Sequence, residues 1–176
     1  FVGTVKQVVL TEHGLHFDAV RLFREKHANK QIWFTEGCVE YSRFADSNEV
    51  YKAEMYDGWE DVKLKALALK DYLEELGLER CACHNDAVPD NFIASEDGKL
   101  FLIDWEYSGN NDPMADLAAL FLESEFTKDN QDFVLQEYFG GDVPENAYMK
   151  IRCFQVLWDC LWAQWTVIKE ANGDDF

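Results

Sequence analysis

The chain has 176 residues, of which 48% are hydrophobic and 15% aromatic, so we expect one sizeable folded domain and not a disordered segment. Its 34 acidic and 16 basic residues give a formal net charge of −18, which would repel nucleic acid and anionic lipid and would suit metal ions or a cationic small molecule. The plain alternative is a well-solvated acidic surface. Because no apolar run approaches the roughly 20 residues that a membrane helix needs, we expect no membrane span, and no secretory signal is visible.

The five cysteines are a poor basis for disulfide bonds, because their number is odd and two of them are one residue apart; they are Cys38, Cys81, Cys83, Cys153 and Cys160. Cys81 and Cys83 precede His84, but the spacing is not that of a zinc knuckle and no second ligand pair follows. We therefore expect free buried thiols in a reducing cytoplasm.

The first third of the chain carries weak signals. Residues 1–16 are typical of a strand or connector, and residues 17–28 and 47–55 predict two short helices. The first long helix is predicted over residues 59–76, where apolar residues recur and Gly77 stands in the position of a glycine C-cap.

The middle of the chain predicts a small hairpin. A short run at residues 80–83 leads into a polar cluster, and two apolar strands at 91–94 and 100–105 follow. The residues between these strands, Glu-Asp-Gly-Lys at 96–99, carry a hairpin turn signal.

The rest of the chain is predicted to be helical. Asp112 and Pro113 begin a buried helix over residues 114–123, with Asp112 as its N-cap. A second helix is predicted over residues 129–139, ended by two glycines, and a last helix from Pro144 to about residue 171. The predicted fold class is therefore mainly α with a small β-hairpin, that is, α+β.

Two groups of carboxylates flank the hairpin. His84, Asn85 and Asp86 stand before it, with Asn91 five residues after the aspartate, and Asp104-Trp-Glu106 ends its second strand. The D-x-x-x-x-N spacing is that of a kinase catalytic loop, and the hairpin would return Asp104 toward Asp86. The structural alternative is a capped turn and a strand end with solvated acids.

These residue types suit phosphoryl transfer. Asp86 is predicted to be the catalytic base for a substrate hydroxyl, while Asn91 and Asp104 offer the oxygen ligands that Mg²⁺ prefers. Glu106 is two residues from Asp104 on a predicted strand end, so both side chains would share a face and Glu106 would join the metal shell.

Neighbouring residues are predicted to support the loop. We expect His84 to do so through hydrogen bonds and not as a metal ligand, and Asp116 to brace the loop from the next helix.

The chain resembles the choline/ethanolamine kinase family, within the wider aminoglycoside phosphotransferase-like group. The resemblance rests on H-N-D-x-x-P-x-N at residues 84–91, on I-D-W-E-Y-S-G-x-N-D-P at 103–113, and on Asp116-Leu117. It implies the C-terminal lobe of a protein-kinase-like fold, a cytoplasmic enzyme, ATP as co-substrate with Mg²⁺, and choline or a similar small cationic alcohol as acceptor. In this family choline sits in an acidic and aromatic pocket, for which the candidates here are Tyr107, Glu123, Trp162 and Trp165. Core packing at helical spacing is the alternative for the tryptophans.

The chain departs from the family in one respect. It shows no glycine-rich loop and no convincing phosphate-binding lysine with a partner glutamate before the central stretch. We therefore expect residues 1–176 to be a single domain, the C-terminal catalytic and acceptor-binding lobe, and to depend on an N-terminal ATP-binding lobe of the same protein. The lobe alone is then expected to have little kinase activity. Two alternatives remain: a kinase for ethanolamine, thiamine, an aminoglycoside or another small alcohol, or a pseudokinase-like binding module without chemistry.

Overall fold

Residues 3–4, 55–171 and 173 are described by the computed structural model, and this part of the chain contains four α-helices and five short strands. The helices are α1 (Trp59–Glu75), α2 (Pro113–Glu123), α3 (Lys128–Phe139) and α4 (Glu145–Ala171). The strands are β1 (Gly3–Thr4), β2 (Cys81–Cys83), β3 (Phe92–Ala94), β4 (Leu100–Leu102) and β5 (Gly109–Asn111). The helices predicted at 17–28 and over nearly all of 47–55 lie outside the described residues, as does most of 1–16.

The four helices confirm the helix predictions for residues 59–171. These helices could be predicted because local capping signals mark their ends. Gly77 follows the last residues of α1 in the left-handed conformation, with φ of +81°, where glycine carries no steric penalty. The Oδ1 atom of Asp112 accepts a 2.9 Å hydrogen bond from the backbone N–H of Met114 at the start of α2. Thr127 and Asn130 form a reciprocal capping box at the start of α3.

The strands form two small antiparallel sheets. The predicted hairpin is present as β3 and β4, with Phe92 opposite Leu102, and β1 pairs with β3 on its other side. The second sheet was not predicted: β2 pairs with β5, with Cys81 opposite Asn111 and Cys83 opposite Gly109. This pairing brings the loop that begins at His84 next to the start of α2.

The core lies between α2 and α4. Every residue of α2 from Pro113 to Phe121 is buried, as predicted. The indole N–H of Trp158 on α4 donates a 3.0 Å hydrogen bond to the carbonyl of Ala115. Burial of one large apolar side chain in this core contributes about 1.5–3 kcal/mol to the free energy of unfolding. Within the described ranges, no helix is both long enough and apolar enough to cross a membrane.

The apolar residues of α1 do not all face this core. Trp59, Ala66 and Leu73 are buried, whereas Leu64 is 65% and Leu67 41% exposed. At 100° per residue these two leucines lie well away from the buried stripe. The apolar residues that recur along this helix therefore do not all lie on one buried face.

Four of the five cysteines fall in the described part of the chain, and all four are free thiols. Cys81, Cys83 and Cys153 are buried and Cys160 is partly buried, which agrees with the prediction for these four. A hydrogen bond with Cys81, and then burial, raise the pKa of the Cys83 thiol, so this sulfur is an inert, protonated core group. Cys38 lies outside the described residues.

Candidate active site

The loop between β2 and β3 holds the predicted base. A short 3₁₀ helix, Pro89–Asn91, turns the chain so that Asn91 returns to Asp86. The side-chain Nδ2 of Asn91 donates to the backbone carbonyl of Asp86 at 2.8 Å and to its Oδ2 at 3.0 Å. Because Nδ2 makes both bonds, Oδ1 is the atom of this amide that can coordinate a cation.

Asp86 is half-buried among other carboxylates. Burial raises the pKa of its carboxyl group above the ordinary value, and the charges of Asp104 and Glu106 raise it further. The hydrogen bond from Asn91 and the proximity of His84 act in the opposite direction. The hairpin therefore does return Asp104 and Glu106 to the neighbourhood of Asp86.

The backbone around Asp104 differs from the prediction. Strand β4 ends at Leu102, and Asp104 has a left-handed φ of +62°, so the argument that Asp104 and Glu106 share one face of a strand is wrong. The backbone N–H of Ile103 still bonds to the carbonyl of Asn91 at 2.9 Å, and the chain then turns, with Ser108 bonding back to Trp105. Asp104 and Glu106 are both exposed beyond this junction.

The donors at this site fit a hard cation such as Mg²⁺, which prefers carboxylate and amide oxygens. The repulsion that raises the pKa of Asp86 is the kind that a divalent cation relieves. Among the described residues, no three His, Cys, Asp or Glu side chains form a metal-binding group on their own. Asn91 and phosphate oxygens would therefore have to complete a shell that Asp104 and Glu106 begin, as is usual for Mg²⁺ in phosphotransferases.

His84 connects the two flanks of the hairpin. Its Nε2 lies 2.7 Å from the carbonyl oxygen of Ile103, and its Nδ1 accepts a 3.2 Å hydrogen bond from the backbone N–H of Asp86. Because Nδ1 accepts, Nε2 is the nitrogen that donates to the Ile103 carbonyl. With both nitrogens engaged, His84 has the geometry of a loop support and has no nitrogen directed at a metal ion.

Asp116 reaches the same loop from the first turns of α2. Its side chain is buried, with Oδ2 accepting from the backbone N–H of His84 and Oδ1 from that of Asn85, both at 2.8 Å. One carboxylate thus satisfies two buried donors directly before Asp86, which is the arrangement that the predicted brace requires.

We expect Asp116→Asn to lower the free energy of unfolding by about 1–3 kcal/mol, because the amide would direct its own N–H₂ at one of these two buried N–H groups. Urea denaturation followed by circular dichroism measures the change. Asp71→Asn, an exposed position on α1, is the control and should change the stability by less than about 0.5 kcal/mol. Equal stability of the two variants would contradict the bracing role.

The predicted acceptor-binding residues occupy two places. Tyr107 is 48% exposed and lies beside the carboxylates, since burial and then the charge of Glu106 raise the pKa of its phenol. Trp162 and Trp165 stack edge-to-face on α4, with ring centroids 5.5 Å apart, and the ammonium of Lys169 lies 5.4 Å from the centre of the Trp165 ring. Glu123 is exposed at the end of α2. The convergence of these four residues on one pocket stays a prediction.

Lys150 was missed by the sequence analysis. It is buried in α4, and its Nζ lies 2.9 Å from Oδ2 of Asp112, which also accepts from the backbone N–H of Glu79 at 2.9 Å. The sequence did carry a signal, because Lys150 stands among Ala147 and Ile151 on the apolar stripe of α4. A charged residue in such a stripe indicates a buried partner.

Comparisons of the sequence and the structure with known proteins all lead to phosphotransferases. Residues 20–152 match the family described as the phosphotransferase enzyme family. Protein LicA of Haemophilus influenzae is 37% identical over 100 residues, which cover 53% of this chain and 37% of that protein.

Solved structures extend the similarity to the fold. The choline kinase LicA from Streptococcus pneumoniae superposes with a TM-score of 0.81 at 36% identity, covering 92% of this chain and 57% of that chain. A LicA structure in complex with AMP superposes with a TM-score of 0.83 at 33% identity, covering 99% and 60%. The kinase-like fold, mostly helical with a small hairpin, is thereby confirmed. The chain spans between about a third and three fifths of the length of these relatives.

Proposed function

Because the chain belongs to the phosphotransferase enzyme family, we propose that it is the catalytic and acceptor-binding lobe of a kinase that phosphorylates choline with ATP and Mg²⁺. The observation that carries this proposal is the position of Asp86, held at 3.0 Å by Asn91 and within electrostatic reach of Asp104 and Glu106. A base next to oxygen ligands for a metal ion is what phosphoryl transfer needs from the protein.

In the proposed reaction, Asp86 orients the choline hydroxyl and accepts its proton. The hydroxyl oxygen forms a bond to the γ-phosphorus of ATP as the bond to the β–γ bridging oxygen breaks, and ADP leaves. Asn91, Asp104 and Glu106 would hold Mg²⁺, which would neutralise charge on the phosphates. The Asn91 amide also holds Oδ2 of Asp86, so that the carboxylate keeps one orientation.

Choline is proposed as the acceptor because a quaternary ammonium binds best over electron-rich rings near negative charge. Trp162 and Trp165 supply the rings, and Tyr107 and Glu123 complete the proposed pocket. The ammonium of Lys169 lies over Trp165, so choline would have to displace this lysine or use the opposite face of the ring. The similarity to choline kinase LicA is the second support.

We further propose that ATP is held mainly by another lobe of the same protein. The support is that the matched relatives are longer than this chain and that one of them is a complex with AMP. The free thiols at Cys81, Cys83, Cys153 and Cys160 support a reducing, cytoplasmic setting for the enzyme.

The function is tested by ATP consumption of the full-length protein with a panel of acceptors. We expect choline to give the highest kcat/KM, ahead of ethanolamine, thiamine and an aminoglycoside, and we expect EDTA to abolish turnover. If another acceptor gave a higher kcat/KM, that acceptor would be assigned as the substrate in place of choline. If none of the acceptors were phosphorylated, the result would support a binding module without kinase activity. The lobe alone should show little turnover under the same conditions.

Trp165→Ala in the full-length protein should raise the KM for choline about 2- to 30-fold, because a desolvated cation–π contact contributes about 0.5–2 kcal/mol. The KM for ATP should not change, since the ring is proposed to contact only the acceptor. Phe133→Ala, an exposed aromatic on α3, is the control. An unchanged KM for choline would assign Trp165 to packing alone.

A further inference from the structure

Asn85 adopts a backbone conformation that few side chains tolerate. Its φ is +62°, in the left-handed region, and its side chain is 3% exposed. Glycine is the default residue for such a position because it has no Cβ atom, whereas asparagine is tolerated when its amide bonds locally. The backbone alone would thus be better served by glycine, so the asparagine side chain must contribute something else.

The amide of Asn85 joins three separate segments. Its Nδ2 donates a 3.0 Å hydrogen bond to the backbone carbonyl of Tyr107, and its Oδ1 accepts a 2.9 Å bond from Nδ2 of Asn111 on β5. Asn111 is fixed in turn, because its Oδ1 accepts from the backbone N–H of Asp112 at 2.9 Å. Both ends of the buried Asn85 amide are therefore used, and the start of α2 is part of the same network.

The bond to Tyr107 is the functionally informative one. It joins the residue directly before Asp86 to the segment that carries Asp104 and Glu106, on the far side of the hairpin. The Ile103–Asn91 and His84–Ile103 bonds secure this segment at its beginning, and the rings of His84 and Trp105 contact each other edge to face in its middle. Beyond Ile103, Asp104 and Glu106 are exposed, and the Asn85 amide holds the segment at its other end.

We infer that Asn85 is a positioning residue: it sets the distance between the base Asp86 and the metal-binding segment 104–107. This inference rests on the proposed function and deepens it. Without the Asn85 amide, Asp104 and Glu106 would keep their chemistry and lose their fixed place relative to Asn91 and Asp86. Bound Mg²⁺ would then be held less tightly and the phosphates less well oriented, as when groups that orient metal ligands are removed.

The test is Asn85→Gly in the full-length protein, because glycine keeps the left-handed backbone and removes only the amide. We expect the Mg²⁺ concentration for half-maximal rate to rise, and kcat to fall, by about 10-fold or more, within the range known for groups that orient metal ligands. Binding of Mn²⁺ as a probe, measured by electron paramagnetic resonance without turnover, should weaken by a similar factor.

Asn146→Ala is the matched control, because Asn146 also donates its amide to a distant backbone carbonyl, that of Leu76 at 3.0 Å, away from the site. A merely structural Asn85 would behave like Asn146, with a lower Tm and unchanged metal affinity, and that result would overturn the inference. If Asn85→Gly does not fold, Asn111→Ala decides: weaker Mn²⁺ binding supports the inference and wild-type binding overturns it. A separate result would contradict the proposed function itself: an unchanged rate of choline phosphorylation in Asp86→Asn.

Discussion

Asp86→Asn should lower kcat of the full-length protein by about 10²–10⁴-fold, the usual contribution of a positioned general base. The substitution is nearly isosteric, so Asn91 can still donate its hydrogen bond to the oxygen at this position. What is lost is the capacity to accept a proton from the acceptor hydroxyl. The KM values for ATP and choline should change by less than about threefold, because neither is bound mainly by this carboxylate.

The same substitution should not destabilise the protein. Burial and the charges of Asp104 and Glu106 raise the pKa of Asp86. A carboxyl whose pKa is raised on folding costs folding free energy at pH values above that pKa, and the cost disappears as the pH falls below the unfolded value. At pH 7, in a chelator, Asp86→Asn should therefore have a Tm equal to or above that of the wild type, which separates loss of chemistry from loss of fold.

Asp90→Asn is the control for this experiment, since Asp90 is an exposed aspartate in the same 3₁₀ helix. Its kcat should stay within about twofold of the wild type, as for a surface change away from the chemistry. A decrease of less than about tenfold for Asp86→Asn would remove Asp86 as a general base of ordinary importance. A similar decrease for both variants would indicate a disturbed loop and not a lost base.

The helices could be predicted because their signals are local. Asp112 with Pro113, and Gly77, lie within a few residues of the helix ends that they define. The pairing of β2 with β5 could not be predicted in this way, because Gly109–Asn111 is a polar segment without strand propensity, paired across 28 residues. Its stability comes from its place against the buried loop and α2.

The same difference between local and long-range signals applies to the residues of the candidate active site. Asp86 and Asn91 are five residues apart, which is the spacing of a kinase catalytic loop, so the motif predicts that they act at one site. Asp104 was expected at a strand end, but a left-handed residue there cannot be derived from alternation of apolar residues. Asn85 and Lys150 act through partners more than 20 residues away, and only the folded chain shows what they contact.

Lys150→Met should lower the free energy of unfolding by about 3–5 kcal/mol, the usual cost of removing one partner of a buried ion pair. The side chains of Lys150 and Asp112 are only 6% and 1% exposed. Methionine keeps much of the volume of the lysine stem and leaves the Asp112 carboxylate without its cation. The backbone N–H groups of Glu79 and Met114 would still donate to this carboxylate, so the lower half of the range is expected.

The control is Lys128→Met, which removes the ion pair between Lys128 and Asp132 on the surface of α3 together with the contact of the same ammonium with the Tyr148 ring. That pair is shorter, 2.6 Å against 2.9 Å, but the Lys128 side chain is 71% exposed and screened by solvent, so its loss should lower the stability much less than loss of the buried pair. Urea denaturation of both variants therefore shows whether the length of an ion pair or its burial determines how much the pair stabilises the protein. Equal losses would refute the buried pair as a major contributor.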